Sequence, residues 1–335
     1  MKIAFFSTKS YDRTHFESEI KESEHSIAFF EDALNLQTAK LVTGCKAVCI
    51  FVNNPMDEEL IAKIADLGIE VIALRSAGFN HVDLEACKKY GITVYRVPAY
   101  SPEAVAEHTV ALILTLNRKT HKAYNRVREN NYSLEGLTGF NLHQKTVGVI
   151  GTGTIGTAFC RIMNGFGCDI LAFDPYENED VKALGGRYVD FDELVHSSDI
   201  ISLHCPLIPQ TRHMIDKESI EKMKDGVMII NTSRGALIDT SAVINGLKQK
   251  KISFLGIDVY EQEDNLFFKD LSNEVIQDDA IARLMTFPNV LITGHQAFLT
   301  EEALQEITRT TLQNLSDHEK GKDVKNEVTA EKNIT

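Results

Sequence analysis

Val147-Gly148-Val149-Ile150-Gly151-Thr152-Gly153-Thr154-Ile155-Gly156 is the stretch that decides the fold. An apolar, β-branched run reads as a buried strand ending at Ile150. Gly151, Gly153 and Gly156 then fall at the G-x-G-x-x-G spacing that opens a helix. The first glycine permits a tight turn, the second lets backbone approach a pyrophosphate, and the third lets helix pack on strand. The free N–H groups of the helix start, with its dipole, face an anion. A second apolar run, residues 170–173, ends in Asp174. That carboxylate lies 18 residues past Gly156, close to where an acid grips the adenosine ribose hydroxyls of a dinucleotide. The bland alternative is a glycine turn made for steric reasons and an Asp that closes a strand before Pro175.

Working outward, the pattern alternates. Residues 200–204, 227–231, 254–259 and 290–293 read as strands, and 191–196, 217–223 and 239–249 as helices. With the two strands around the glycines, this predicts about six parallel strands, a complete dinucleotide-binding sheet. Upstream, 2–6, 26–30, 47–52, 71–74 and 93–97 read as strands. Helical patterns over 57–67 and 82–90 stop at Gly68 and Gly91. Strand–helix alternation means a parallel sheet covered on both faces. Ser101 is a good N-cap, Pro102 suits the first helical position, and Glu103 favours the dipole. Residues 104–116 are apolar nearly all round, as a helix buried between two domains would be. Polar residues 118–131 predict its continuation at the surface. Residues 301–315 form a final amphipathic helix returning to the first domain, and 317–335 are expected to be partly disordered.

The bulk numbers narrow the function. A chain of 335 residues exceeds one core and predicts two domains. Hydrophobic and charged contents of 43% and 25% are those of a soluble globular protein. A net charge of −13 argues against nucleic acid or an anionic membrane as partner. No run is long enough to span a bilayer, and the N-terminus lacks the pattern of a signal peptide. Six cysteines without a C-x-x-C pair read as reduced thiols of a cytoplasmic protein. No metal site is expected.

Four strand ends carry polar residues, and ligands of open α/β sheets bind outside such ends. They are His204-Cys205-Pro206, Thr232-Ser233-Arg234-Gly235, Asp258 with Glu261 and Glu263 beyond, and Gly294-His295. An arginine, a carboxylate and a histidine on one edge suit hydride transfer to a keto acid. The histidine supplies a proton to the forming alkoxide. A carboxylate on its other ring nitrogen fixes the tautomer and favours the imidazolium. Arginine grips the substrate carboxylate with two parallel bonds. Equally, Arg234 could be a structural ion pair, Glu263 a surface acid and His295 a satisfied strand-end histidine.

Across nearly its whole length the sequence resembles the D-isomer-specific 2-hydroxyacid dehydrogenases. The resemblance rests on 147–156, Asn231-Thr232-Ser233-Arg234-Gly235, Asp258-Val259-Tyr260-Glu261 and Gly294-His295-Gln296-Ala297-Phe298. The last segment, the stretch Val97-Pro98-Ala99-Tyr100-Ser101-Pro102-Glu103 and the long segment between Glu263 and His295 are similar to the NAD-dependent D-lactate branch. The resemblance implies two doubly wound α/β domains, one flavodoxin-like and substrate-binding (1–100 and 299–335), the other a Rossmann domain for NAD (101–298), with an active-site cleft between. It implies Arg234 on the substrate carboxylate, aided by N–H groups near Ala77 and Gly78. It makes His295 the acid/base and Glu263 its partner, although Glu261 and Asp264 crowd the same position. Thr154 and Ile155 would hold the pyrophosphate, and Asp174 the ribose. Cys205, Pro206, Thr232, Ser233 and Asp258 would line the nicotinamide side. Tyr100 and Phe298 are expected either to wall the substrate's methyl end or to pack a domain seam. The implied reaction is reduction of pyruvate to D-lactate by a homodimer or homotetramer. The alternatives are a dehydrogenase of longer keto acids and a dinucleotide-sensing protein like the C-terminal-binding corepressors.

Overall fold

The computed structural model describes residues 1–22, 24–263 and 266–330. The chain divides into two compact units, one formed by Met1–Ser101 with Leu299–Thr335 and the other by Pro102–Phe298.

The first unit is built on five parallel strands: β1 (Lys2–Phe5), β2 (Ser26–Phe29), β3 (Ala47–Ile50), β4 (Val71–Leu74) and β5 (Thr93–Tyr95). Their order is β2-β1-β3-β4-β5, the doubly wound order in which crossovers cover both faces. β3 and β4 are buried at every position, so they read as continuous apolar runs and not as alternations. The helix Glu58–Asp66 starts at Asp57, whose side chain accepts from the Leu60 N–H. The helix Leu84–Tyr90 starts likewise at Asp83 and ends at Gly91 in the left-handed region, φ 70°, where glycine meets no steric penalty.

Two expectations for this unit need correction. The final helix runs to Glu319, not 315. The tail beyond it is docked as far as it is described. The Val328 N–H donates to the Val94 carbonyl, the Arg96 N–H donates to the Asn326 carbonyl, and Val324 and Val328 are buried. The two valines supply apolar area that composition averaged over a polar tail conceals. The helix Ser10–Glu19 has no counterpart in the sequence pattern: only Asp12 and Phe16 are buried on it, so it has no apolar stripe.

The second unit has seven parallel strands: β6 (Thr146–Ile150), β7 (Asp169–Phe173), β8 (Arg187–Tyr188), β9 (Ile200–Leu203), β10 (Val227–Asn231), β11 (Ile252–Ile257) and β12 (Val290–Ile292). The order is β12-β11-β10-β9-β6-β7-β8, so six strands become seven. The extra one, β8, has only two residues and gives no apolar run. The central strands make the core: all five positions of β10 are buried. Ile229 and Ile230 have no exposed surface, and each contributes roughly 1.5–3 kcal/mol by burial. The helix Pro102–Arg118 lies on one face of this sheet. Gly256 of β11 admits it closely, since a side chain there would sit 3.1 Å from Leu116. This helix does not continue through 118–131. Lys119 takes φ 51°, and a separate helix follows over Thr120–Arg128.

Chain order reverses between β6 and β9, which both start from the sheet's middle and wind outward in opposite senses. In open sheets that point leaves a crevice at the carboxyl ends of the strands. The loops after β6 and β9 are the glycine loop and His204-Cys205-Pro206.

Candidate active site

The glycine loop is shaped by its neighbours. Gly151 takes φ 93°, and a side chain there would lie 2.6 Å from the Cys205 backbone nitrogen. A side chain at Gly156 would lie 2.0 Å from the Gly151 carbonyl oxygen. Both glycines are therefore required by the protein itself. Gly153 differs: nothing lies within 4 Å of where its side chain would be. Gly153 is also the N-cap of the helix Thr154–Gly165 and brings no side chain to that end. The first-turn N–H groups, Thr154 and Ile155 among them, thus open onto space that a phosphate group can fill.

Behind the loop stands a polar brace. Asp174, just past β7, accepts from the Thr152 N–H at 2.7 Å through one oxygen and from the Tyr176 N–H at 2.9 Å through the other. Each oxygen keeps a lone pair for a further donor. The Tyr188 hydroxyl donates to Thr152 Oγ1 at 2.7 Å, and Asn178 donates to the Thr152 carbonyl and to Thr157 Oγ1. Tyr188 rides on β8, the strand absent from the sequence reading.

After β9 come His204, Cys205 and Pro206. Burial pushes the Cys205 thiol up to about 12, and its Sγ lies 3.6 Å from the Met214 sulfur. The Cys205 carbonyl accepts from the Ser233 hydroxyl at 2.7 Å, tying this loop to the next strand end. His204 hydrogen-bonds Ser202 Oγ through Nε2. Its Nδ1 is shut off from water without a partner.

After β10 the buried Asn231 organises the turn. Its Oδ1 accepts from the Ser233 N–H and its Nδ2 donates to the Arg234 carbonyl. Thr232 turns its hydroxyl toward Thr109 on the helix Pro102–Arg118, at 2.8 Å. Arg234 is half-buried, with Nη1 donating to the Ser233 carbonyl at 2.7 Å. Among the described residues it forms no ion pair, so most of its five donors are uncommitted. Gly235 must be glycine, because a side chain would lie 2.1 Å from the Tyr260 carbonyl carbon. That contact sets Arg234 beside the segment that follows β11.

In that segment Asp258 is fully buried. Its carboxylate accepts from the N–H groups of Gln296 and Ala297 at 2.9 and 2.8 Å and from the Thr293 hydroxyl at 2.5 Å. His108 Nε2 lies 3.5 Å away. Burial alone would raise the Asp258 carboxyl, yet these hydrogen bonds outweigh it and hold the group below the usual carboxylate range. A buried carboxylate thereby fixes the turn that carries His295. The His295 N–H also donates to the Asp258 carbonyl at 2.7 Å. The residue itself takes φ 55°, a left-handed conformation that non-glycine residues rarely adopt.

His295 Nδ1 lies 2.9 Å from Glu263 Oε1, both side chains being about four-fifths buried. Glu263 Oε2 accepts from the Tyr260 N–H at 2.9 Å, which aims the carboxylate, and the ring of Phe268 lies 5.7 Å from that of His295. Of the rival acids, Glu261 is engaged elsewhere. It sits 2.6 Å from His213 Nε2 and accepts from the Thr240 hydroxyl. Asp264 lies outside the described residues. Ala77, Gly78 and Tyr100 belong to the first unit. There Arg96 donates to the Ala77 carbonyl, and Ser76 Oγ donates to that of Gly78. Phe298 is buried at the end of the second unit.

Residues 110–297 match the model of the D-isomer specific 2-hydroxyacid dehydrogenase, NAD binding domain. A D-lactate dehydrogenase of Escherichia coli is 54% identical over 98% of this chain and 100% of its own. The chain belongs to the D-isomer-specific 2-hydroxyacid dehydrogenase family. A 2-hydroxyacid dehydrogenase homolog of Haemophilus influenzae is 57% identical over 96% of this chain and 97% of its own. Among solved structures, the pyruvate reductase of Chlamydomonas reinhardtii superposes with a TM-score of 0.93 at 46% identity, covering 97% and 98% of the two chains. In this member of the family, His108 and Thr109 are site neighbours that the sequence reading passed over. They lie on a helix that reads as uniformly apolar, and only their spacing against Thr232 and Asp258 in three dimensions reveals them.

Proposed function

We propose that this protein is an NAD-dependent D-lactate dehydrogenase: pyruvate + NADH + H⁺ gives D-lactate + NAD⁺, reversibly. The observation that carries the reading is the His295–Glu263 pair at 2.9 Å, linked through Tyr260 to Gly235 and thus to an arginine without an acidic partner among the described residues. The glycine loop fits the dinucleotide, since Gly153 leaves a space that the protein does not fill. Thr154 and Ile155 would meet its pyrophosphate, and Asp174 its ribose. Cys205, Pro206, Thr232, Ser233 and Asp258 would border the nicotinamide.

When bound, the reduced nicotinamide supplies the hydride. Arg234 holds the keto acid's carboxylate and so orients the carbonyl. His295 engages Glu263 through Nδ1, leaving Nε2 to give a proton to the carbonyl oxygen as it becomes an alkoxide. In lactate oxidation the neutral ring takes that proton back. Glu263 acts by holding the ring's tautomer and balancing its charge. The substrate roles of Ala77, Gly78, Tyr100 and Phe298 rest on the family resemblance.

The test is NADH oxidation measured with a series of keto acids. Pyruvate should lead and 2-ketobutyrate follow. Branched acids should be poor, with discrimination of about 1–3 kcal/mol per methylene. A preference for 2-ketoisocaproate would replace the lactate reading with that of a broader hydroxyacid dehydrogenase. NADH should also outperform NADPH, because Asp174 repels a 2′-phosphate. We further assign the protein to the cytoplasm, in line with six free, buried cysteines. No helix among the described residues is long and apolar enough to cross a membrane. We also assign it to a homo-oligomer, on Tyr124, Tyr132 and Leu134, exposed at 61%, 70% and 81% within one short segment. Light scattering in solution gives the stoichiometry.

A further inference from the structure

Thr152 stands between the first two glycines of the loop, and it is 2% exposed. Side chains from four places take up its polar atoms. Its N–H donates to Asp174, just past β7, at 2.7 Å. Its carbonyl accepts from Thr157 Oγ1, on the helix Thr154–Gly165, at 3.0 Å. The same carbonyl accepts from Asn178 Nδ2, on the cap of the helix Glu179–Ala183, at 3.1 Å. Its hydroxyl accepts from the Tyr188 hydroxyl, at the end of β8, at 2.7 Å. The glycines on either side have no side chain to hold and the widest choice of backbone angles. The resting shape of the loop is therefore set chiefly through Thr152.

Of these four partners Tyr188 stands apart. Asn178 also caps its own helix, and Thr157 belongs to the helix that the loop opens. Tyr188 rides on a strand of two residues at the sheet edge, paired only through Leu171 with Arg187 and Ala172 with Tyr188. So short a strand adds little ladder of its own. What it delivers is a phenol at one point. The Tyr188 oxygen donates to Thr152 Oγ1 and accepts from the Asn178 N–H at 2.7 Å. Asn178 returns through Nδ2 to the Thr152 carbonyl, so Tyr188, Thr152 and Asn178 close a ring of hydrogen bonds. The phenol spends its one donor on the loop residue and an acceptor site on the second member of the ring.

We propose that Tyr188 is a positioning residue of the dinucleotide site: acting through Thr152, it holds the glycine loop in the shape that receives the pyrophosphate and so sets the affinity for NADH. This rests on the reading that puts the pyrophosphate at Gly153, Thr154 and Ile155. A loop held in its bound shape beforehand loses less freedom when the ligand arrives, and the ligand binds more tightly for it. Because the Thr152 N–H is bonded to Asp174, slack at Thr152 reaches the ribose end of the site as well.

The test is a double-mutant cycle on NADH affinity, read by NADH fluorescence. Tyr188→Phe removes the phenolic oxygen and keeps the ring that packs on the core. Thr152→Val removes the hydroxyl and keeps the β-branched shape. Each should weaken NADH ~3–10-fold, the span of one neutral hydrogen bond. The double variant should bind no worse than Tyr188→Phe alone, because both changes act on one bond. At saturating NADH, kcat and KM for pyruvate should stay within about twofold of wild type, a split that general loosening of the fold would not give. Wild-type NADH affinity in Tyr188→Phe overturns the proposal. So does a double variant whose loss is the product of the two single losses, and so does a kcat that falls in step with affinity. Gly153→Val reports on the reading beneath, since nothing lies within 4 Å of where that side chain would start and it would fill the space assigned to the pyrophosphate. Wild-type affinity in Gly153→Val overturns both. Blocked binding there, with wild-type affinity in Tyr188→Phe, overturns the positioning role alone.

Discussion

His204 and His295 both lie at carboxyl ends of strands in the same sheet, and both are largely but not fully buried. Their chemistry is opposite. His204 packs its ring 4.9 Å from that of Phe159, has only a serine hydroxyl on Nε2, and is pushed down to about 3 by burial. His295 has a carboxylate 2.9 Å from Nδ1. A strand-end histidine is therefore not a proton donor by position. On the proposed function it becomes one when a second group, aimed by its own hydrogen bond, faces one ring nitrogen and leaves the other for substrate.

The largest effect should come from His295→Ala. Its kcat should fall by ~10²–10⁴, the usual contribution of a general acid, while NADH affinity holds. A variant retaining a tenth of the wild-type rate would mean that another group supplies the proton. Glu263→Gln keeps the shape and removes the charge. We expect kcat/KM for pyruvate to drop roughly 10–10²-fold, matching the ~1.5–3 kcal/mol of a hydrogen bond to a charged group. Unaltered kinetics would make the pair incidental.

His204 should show itself in stability. Its ordinary value of 6.5 applies to the unfolded chain, and the folded ring stays neutral down to about 3. Between those limits the unfolded state binds a proton that the folded state refuses, so stability falls as pH drops below 6.5. The slope from this group approaches ~1.4 kcal/mol per pH unit, and it vanishes above neutrality. Urea unfolding of wild type and His204→Gln at pH 7 and pH 5.5 isolates it. The variant should lose less stability between the two pH values, and parallel losses would show that His204 does not resist protonation. The smallest effect is expected from Glu261→Gln. Glu261 serves His213 and Thr240, so pyruvate kinetics should stay within about twofold of wild type, as for surface changes away from a site.

The contrast between the two histidines also marks what was legible in the sequence. Strand ends were readable because buried parallel strands are unbroken apolar runs, and polar residues after them stand out. That places His204 and His295 alike. Which of them has a carboxylate depends on the segment after Asp258, where Glu261, Glu263 and Asp264 look equivalent in one dimension. The family spacing singled out Glu263, and the structure shows Tyr260 N–H turning it toward His295. Elements without an apolar signature were not legible. β8 is two residues long, the helix Ser10–Glu19 buries little, and Lys119 breaks a helix although lysine is an ordinary helix former. The docked tail escaped for the converse reason: two valines in a polar stretch are enough to hold it.

The left-handed backbone at His295 has a consequence for how this protein ages and evolves. A glycine would occupy φ 55° without the penalty of roughly 1 kcal/mol that a side chain meets there. His295→Gly should therefore be an inactive protein that outlasts His295→Ala on heating, and selection for durability alone would drift toward it. On the proposed function, the proton that His295 gives is what an imidazole in that posture supplies, and a torsion angle is where its cost shows.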